Sequence, residues 1–484
     1  MTKEQREKQK FVKDFVKHLF DGDAAIFAGA GFSAGVGFVN WRELLREIAE
    51  DIDLDIDIEN DLISIAQYHT NKKGRNKINQ KILDEFSHQA KPSINHDIIA
   101  RLPIATIWTT NYDTVFEEAY RTASKRADIK HANLHLSLSL AKKDVTIYKM
   151  HGDVHHSTEA IITKYDYEKY HLTHQPFITA LSSDLITKTF LFVGFSFTDP
   201  NLDRILSRVR MYFDDNYKNH YAIIRKVKKG EKGSETEAEY DYSCQKQELM
   251  LDELSRFHIT PILVNEYSEI TEMLLEIEQL YKQRTTFISG SATEYGKYTN
   301  EEALRFIHKL SNELVKSNYT IVNGFGLGVG TAVMNGALEA IYSEPTKYSE
   351  TQLIMRPFPQ YQTGEKKLSD LWSEYRQQMI KFAGVAIFVF GNSDETDNNI
   401  AKGVLDEYSL AIEQGLLPIP ISATGYAARR IWEQVMEQMP SPLERFQHKD
   451  IAKLHELYTS LDNTDIPLDE HIKTVKEILR TFNS

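Results

Sequence analysis

Short apolar segments with strand character alternate with amphipathic helical segments along nearly the whole chain. In the first half the strand-like segments cover residues 24–28, 104–109, 145–149, 190–193, 220–224 and 259–264. The series continues in the second half at residues 286–289, 319–322, 352–355, 385–390 and 417–421. Strands that are separated by helices pair in parallel, and their ligands lie at the carboxyl ends of the strands. We therefore predict an α/β fold with two Rossmann-like parallel sheets.

The length and composition of the chain are those of a multidomain globular protein. Its 484 residues exceed one ordinary domain, and 41% hydrophobic with 26% charged residues is a normal globular composition. The second series of strands starts near residue 285, after a helical stretch over residues 270–282. We predict two domains, residues 1–283 with an amphipathic N-terminal helix, and residues 284–484.

Charge, hydropathy and cysteine content exclude several function classes. The net charge is −13 and no long basic run offsets it, so we expect no direct nucleic-acid binding. No stretch approaches ~20 uninterrupted apolar residues, so we expect no membrane span and a cytoplasmic protein. The single cysteine, Cys244, cannot supply a four-thiolate zinc site, and the acidic run over residues 51–57 lacks the turn glycine of a calcium loop. We expect no metal.

Four short motifs each follow a predicted strand of the first domain. They are AGAGFS at residues 28–33, TNYD at 110–113, HGD at 151–153 and GFS at 194–196. A glycine turn lets backbone N–H groups approach a phosphate, an asparagine amide both donates and accepts, and a histidine is a base near neutral pH. Each motif also has a structural explanation: a tight turn, an Asx cap of a helix over residues 114–121, or a loop histidine. Together, at one edge of a sheet, they indicate a dinucleotide site.

Glycine spacing separates this chain from the common nucleotide-binding motifs. The first loop has the spacing G-x-G-x-x-x-G, and we predict that the next helix starts only near residue 40. A denser loop, Gly324, Gly326, Gly328 and Gly330, lies between a strand and a helix predicted from residue 331, and indicates a phosphate or nucleotide ligand. Tyr298 stands where a P-loop has Ser or Thr, which argues against a P-loop NTPase.

The ordered motifs GAGFSAG, TTNYD, MHGD and GFSFTDPNL resemble the sirtuin (SIR2) family, in its bacterial branch without a zinc module, over about residues 10–280. The second half, with FISGSA, VNGFGLGVG and VAIFVFGN, is similar to SLOG domains, which sense nucleotide-derived ligands. The combination resembles the two-domain effectors of the Thoeris anti-phage system. The resemblance implies an enzyme that hydrolyses NAD⁺, as its substrate, to ADP-ribose and nicotinamide.

The same resemblance implies roles for individual residues of the first domain. Asn111 and His151 are the expected catalytic residues, with His151 as the base. Residues expected to bind NAD⁺ are Gly29, Ala30, Gly31, Phe32, Ser33, Asp113, Gly194 and Ser196. Thr110 stands where sirtuins have a glutamine, which argues against protein deacylation.

For the second domain the resemblance implies a cyclic ADP-ribose-type signal made by a TIR-domain partner protein. Phosphates need cations, and Arg376 is our first choice, Arg356 the second, with Glu407 as an acceptor for ribose hydroxyls. The full set expected at this site is Ser289, Gly290, Gly326, Gly328, Arg376 and Glu407. The resemblance also suggests a homo-oligomer, a tetramer or larger.

Three functions remain open at this point. The first is a ligand-gated NAD⁺ hydrolase, the second a zinc-independent sirtuin-like deacylase, and the third a non-catalytic nucleotide-binding regulator. Nicotinamide release that depends on a cyclic nucleotide but not on a peptide distinguishes the first from the other two.

Overall fold

The computed structural model describes residues 2–59, 61–214, 216–231, 233–362, 364–394, 399–439 and 450–483. The chain divides into two compact units, Met1–Glu278 and Gln279–Ser484. The division falls inside the helix Ser268–Gln283. Each unit has its own parallel sheet with helices around it, so the predicted fold class is confirmed.

The first unit is built on a seven-stranded sheet of the order β3-β4-β2-β1-β5-β6-β7. Its strands are β1 (Ala24–Ala28), β2 (Thr106–Thr109), β3 (Ala127–Lys130), β4 (Val145–Lys149), β5 (Thr189–Val193), β6 (His220–Arg225) and β7 (Ile259–Val264). β1, β2 and β5 are buried along their whole length, as strands covered by helices on both faces must be.

Helices of the first unit cover both faces of this sheet. They span Lys3–Asp21, Ala30–Ser33, Trp41–Leu44, Arg46–Glu50, Leu62–Lys73, Asn76–Phe86, Ile94–Arg101, Val115–Thr122, Asn133–Ser137, Lys164–Thr173, Gln175–Thr187, Pro200–Phe213 and Glu237–Arg256, with 3₁₀ turns at Ala34–Val36 and Val154–Glu159. The helix Ser268–Gln283 begins in this unit and ends in the second. The N-terminal helix starts at a capping box on Thr2 and buries Phe11 and Phe15, which confirms its predicted amphipathic character.

The strand order of the first sheet reverses at β1, which has β2 on one side and β5 on the other. In the register of the sheet, Ala28 lies beside both Thr109 and Val193, and Thr109 lies beside Lys149. Four strands therefore end at the same level. The loops that follow them meet at the point where open α/β sheets bind ligands.

The second unit is built on a five-stranded sheet of the order β10-β9-β8-β11-β12. Its strands are β8 (Thr285–Ser289), β9 (Thr320–Asn323), β10 (Leu353–Met355), β11 (Val385–Phe388) and β12 (Leu417–Pro420). Its helices span Asn300–Lys316, Gly330–Ser343, Leu368–Ile380, Lys402–Glu413, Tyr426–Gln438, Ile451–Ser460 and Leu468–Asn483, with 3₁₀ turns at Glu350–Gln352 and Ser422–Thr424.

Three local features differ from the predictions. The strand β3 was not predicted, because its four residues alternate between polar and apolar at the sheet edge and form no apolar run. A four-residue helix, Ala30–Ser33, directly follows the first glycine turn and was not predicted, whereas the helix predicted near residue 40 begins at Trp41, with Asn40 as its N-cap. A helix predicted over residues 244–257 begins at Glu237, because Thr236 and Glu239 form a capping box there.

Within the described ranges, none of the helices combines the length and the apolarity that crossing a membrane requires.

Candidate active site

The glycine turn after β1 packs directly against the loop after β5. Gly29 N donates to Val193 O at 3.0 Å, and Gly31 N donates to Gly194 O at 2.9 Å. A Cβ on Gly194 would lie 2.2 Å from Phe32 N, and Gly194 has a φ of +63°. The glycines therefore allow two backbones to touch. The N–H groups of Gly29 and Gly31 thus donate to backbone carbonyls at the end of β5 and in the loop after it, and the binding of NAD⁺ by these residues stays a prediction.

Asn111 is fixed to the glycine turn by its amide. Its Nδ2 donates to Gly29 O and to Ser33 Oγ, both at 3.1 Å, and its backbone N donates to Thr109 Oγ1. Among the described residues, Asn111 Oδ1 is buried and has no hydrogen-bond partner. The side chain is thus held in one orientation with an acceptor left over for a bound molecule.

Asp113 lies two residues further on, in the same turn, and is buried. Its Oδ1 accepts a hydrogen bond from Val115 N at 3.0 Å, which caps the helix Val115–Thr122 and bears out the Asx cap. Burial raises the pKa of Asp113, and the nearby Lys149 ammonium opposes that rise.

His151 follows β4 and is only 2% exposed. Its Nε2 lies 3.1 Å from Asp199 Oδ2, and its ring meets the Tyr167 ring edge to face at 5.5 Å between centroids. Among the described residues, neither ring nitrogen of His151 has a partner in hydrogen-bond geometry, so Asp199 acts on the ring through its nearby charge.

Asp199 is oriented by the start of a helix. Its Oδ1 accepts from Asn201 N and Leu202 N, both at 2.9 Å, and its Oδ2 accepts from the Tyr167 hydroxyl at 3.2 Å. Burial works against ionisation of this carboxyl, but the His151 imidazole and these hydrogen bonds hold the pKa of Asp199 below its usual range. A carboxylate in this position stabilises a protonated histidine.

Two adjoining spaces bring most of the predicted residues together. An open cleft of about 1100 Å³ is lined by Ala30, Gly31, His151, Gly194 and Ser196 among others. A small chamber of about 20 Å³, with room for one water molecule, is lined by Ala30, Ser33, Asn111 and Asp113 among others. Ala30, Trp41 and Thr110 line both spaces, so the chamber opens beside the cleft.

Two residues that we expected to bind NAD⁺, Gly29 and Phe32, are not among the residues that line the two spaces. Gly29 lines neither space and acts through its carbonyl, which holds Asn111. The Phe32 side chain lies in the interior, with its ring 4.5 Å from that of His96 and 5.8 Å from that of Phe116. The binding of NAD⁺ by Gly29 and Phe32 stays a prediction.

Family models match both units. The chain matches a SIR2-like domain over residues 105–245 and the Sir2- and TIR-associating SLOG family over residues 269–482. It is 46% identical over 477 residues to NAD(+) hydrolase ThsA of Bacillus cereus (strain MSX-D12), with 98% of each chain covered. The chain belongs to the ThsA family. Proteins with the same name in Cytobacillus dafuensis and Acinetobacter baumannii (strain 532279) are 44% and 38% identical, over 89% and 98% of this chain and 88% and 98% of theirs.

In the second unit of this ThsA-family chain, three of the predicted residues lie together: Ser289 and Glu407 are buried, and Arg376 is partly buried beside them. Ser289 Oγ donates to Glu407 Oε2 at 2.6 Å, and Arg376 Nε lies 3.8 Å from Glu407 Oε1. Burial raises the pKa of Glu407 to about 7, against the lowering effects of Ser289 and Arg376. The Arg376 guanidinium also lies over the Phe358 ring, 5.3 Å from its centroid.

The glycines of the second unit again serve backbone contact. A Cβ on Gly326 would lie 2.1 Å from Gly290 O, and one on Gly328 would lie 2.1 Å from Ala292 O. The loops after β8 and β9 are therefore in contact. The second-choice cation, Arg356, lies over the Phe382 ring instead, at 5.1 Å.

Sequence reasoning did not assign roles to Asp199, Tyr167 or Lys149. Asp199 lies inside the GFSFTDPNL motif and directly before Pro200, which is the signal of a helix N-cap. Tyr167 and Lys149 carry no local signal, because their partners are distant in sequence. Within the described ranges, no three His, Cys, Asp or Glu side chains are arranged to hold a metal ion.

Proposed function

We propose that this chain hydrolyses the bond between nicotinamide and ribose in NAD⁺ and releases nicotinamide and ADP-ribose. The observation that carries the proposal is the convergence of Asn111, Asp113 and His151 on two adjoining spaces at the switch point of the sheet. The extensive similarity to proteins named NAD(+) hydrolase ThsA supports it independently.

To hydrolyse this bond, the enzyme must mainly position NAD⁺ and stabilise the positive charge of the transition state. Nicotinamide leaves as a neutral base from a cationic ring, and positive charge develops at the ribose carbon that it leaves. The carboxyl of Asp113 and the free Oδ1 of Asn111 supply acceptors beside that carbon or for the carboxamide of the leaving group. The chamber beside the cleft has the size of the attacking water.

His151 is the proposed base. Water that attacks the ribose carbon must lose a proton, and the imidazole receives it. The Asp199 carboxylate, 3.1 Å from Nε2, stabilises the imidazolium that results. The leaving group needs no acid, so one base is sufficient.

Nicotinamide release from NAD⁺ by the full-length chain, without any acyl-lysine peptide, tests the proposal. Asn111→Ala and His151→Ala should each lower turnover by a factor on the order of 10² to 10⁴ while the chain stays folded. His155→Ala is the matched control, because His155 is an exposed neighbour on the same loop. Full activity in either site variant, or turnover only with an acylated peptide, contradicts the proposal.

We propose further that a cyclic ADP-ribose-type nucleotide from a TIR-domain partner binds the second unit and switches the enzyme on. The juxtaposition of Ser289, Arg376 and Glu407 supports this, because a guanidinium suits a pyrophosphate and a carboxylate accepts hydrogen bonds from ribose hydroxyls. The match to the Sir2- and TIR-associating SLOG family agrees with such a partner.

Activation by cyclic ADP-ribose, measured as nicotinamide release against nucleotide concentration, tests the switch. Arg376→Ala should abolish the response, whereas Arg429→Ala, an exposed arginine of the same unit, should respond as the wild type does. A normal response in Arg376→Ala contradicts the assignment.

The biological setting that we propose is anti-phage defence by NAD⁺ depletion in the cytoplasm, by a homo-oligomer of four or more chains. Light scattering coupled to size exclusion measures the oligomer, and cellular NAD⁺ after infection measures the depletion.

A further inference from the structure

A buried lysine joins the two loops that carry the proposed catalytic side chains. Lys149 ends β4 and is 1% exposed. Its Nζ donates to the backbone carbonyl of Tyr112 at 3.1 Å and to that of Asp113 at 2.7 Å. The same ammonium donates to the carboxylate of Asp153, which lies two residues beyond His151. One cation thus contacts both the turn after β2 and the loop after β4.

Further contacts fix the same junction. Lys149 Nζ donates to Glu117 Oε1 at 3.1 Å, on the helix that begins after the TNYD turn. A backbone hydrogen bond from Val154 N to Tyr112 O, at 3.0 Å, crosses between the two loops. This amide accordingly reports whether the junction is closed.

Stability alone does not account for a charge in this place. Removing an ammonium from water is unfavourable, and a well-packed apolar group of similar volume is often as stable as a buried ion pair. The N–H groups of a lysine ammonium are directional. They can therefore fix the relative position of two loops, which an apolar side chain cannot do.

We propose that Lys149 is a positioning residue: it holds the turn that carries Asn111 against the loop that carries His151. The consequence for catalysis rests on the proposed hydrolysis of NAD⁺. The two side chains come from different strands, so their separation depends on how the two loops are tied together. Lys149 touches neither of them and acts through the backbone of one loop and the carboxylate of the other.

Lys149→Met, which keeps the length of the stem and removes the charge, is the direct test in the full-length chain. We expect kcat for nicotinamide release to fall on the order of 10²-fold with the Kd for NAD⁺ changed by less than about threefold, because a misplacement of about 1 Å has that effect on rate.

Lys130→Met is the matched control. Lys130 is also buried, on the neighbouring strand β3, where it pairs with Asp128 at 2.8 Å and donates to Leu138 O, outside both loops. We expect Lys130→Met to lower the unfolding temperature but to leave kcat within about twofold of the wild type. A folded Lys149→Met variant with wild-type kcat overturns the proposal, as does an equal loss of kcat in both variants.

Hydrogen exchange supplies a readout that does not depend on turnover. Lys149→Met should speed exchange in peptides that cover residues 109–117 and 149–157, including the Val154 amide, and Lys130→Met should not. Unchanged exchange in these peptides overturns the proposal even if NAD⁺ is not the substrate. Absence of wild-type nicotinamide release together with faster exchange overturns only the proposed hydrolysis.

Should Lys149→Met fail to fold, Asp153→Asn decides the matter. It removes the charge on one side of the junction and leaves the bonds from Lys149 to the two carbonyls. For Asp153→Asn we expect kcat to fall and hydrogen exchange in the same peptides to become faster, both by less than in Lys149→Met. Wild-type values of both kcat and exchange overturn the proposal.

Discussion

A neutral substitute for Glu407 should stabilise the second unit at alkaline pH and leave its stability nearly unchanged at acidic pH. Burial raises the pKa of Glu407 to about 7, from a usual value of 4.5. The folded state therefore binds this proton more tightly than the unfolded chain does between these two pH values. Stability is highest below the usual pKa and is lost as the pH rises towards the folded pKa, which is the reverse of an ion-paired carboxylate.

The expected change in the free energy of unfolding follows from the pKa shift of Glu407. At 1.36 kcal/mol per unit, a rise from 4.5 to about 7 corresponds to a loss of roughly 3 kcal/mol above neutral pH. Glu407→Gln removes the ionisable group and keeps an oxygen that can accept the Ser289 hydroxyl. For a unit of this size, about 3 kcal/mol raises the midpoint of unfolding by roughly 6–12 °C.

Scanning calorimetry of the full-length chain measures this difference. The wild type and Glu407→Gln should unfold at similar temperatures near pH 4.5, whereas at about pH 8.5 the variant should unfold roughly 6–12 °C higher in the transition that involves the second unit. Glu302→Gln is the control with the opposite sign, because hydrogen bonds from Thr299 lower the pKa of Glu302. A difference between Glu407→Gln and the wild type that does not change with pH would refute the reasoning.

Two further predictions concern the first unit. Asp199→Asn keeps an acceptor for the helix cap but removes the charge beside His151. Turnover should therefore fall by a factor on the order of 10² to 10⁴ while NAD⁺ binding is retained. Steady-state kinetics measures the turnover, and calorimetric titration measures the binding. Gly194→Ala would place a Cβ 2.2 Å from Phe32 N at a positive φ and should lower the unfolding temperature sharply, whereas Gly35→Ala, with nothing within 4 Å of the added Cβ, should leave it within a few degrees of the wild type; circular dichroism on heating compares the two.

The fold could be predicted because its strands are central and apolar. β1 and β5 are continuous buried runs, which a parallel sheet covered on both faces requires. The edge strand β3 carries a polar residue at two of its four positions, so its strand character depends on pairing with β4 and not on its own sequence.

Only those site residues that lie next to the ends of strands could be predicted. Asn111 and His151 lie at such positions, and the order of the parallel strands brings their loops together. Asp199 meets His151 across 48 positions of sequence, and Lys149 reaches Tyr112 across 37, so neither partnership leaves a periodic signal. The glycines let two loops touch each other, a packing role that their spacing alone did not indicate, and their binding of NAD⁺ stays a prediction.

The raised pKa of Glu407 also has a consequence for the ligand that we propose for the second unit. A carboxyl with a pKa of about 7 is poised between its two forms near neutral pH, and Ser289 with Arg376 does not compensate for its burial. A ligand whose hydroxyls donate to this carboxyl favours the ionised form, so its binding would release a proton and tighten as the pH rises through about 7. The stability of the unit and its affinity for such a ligand would therefore change with pH in opposite directions.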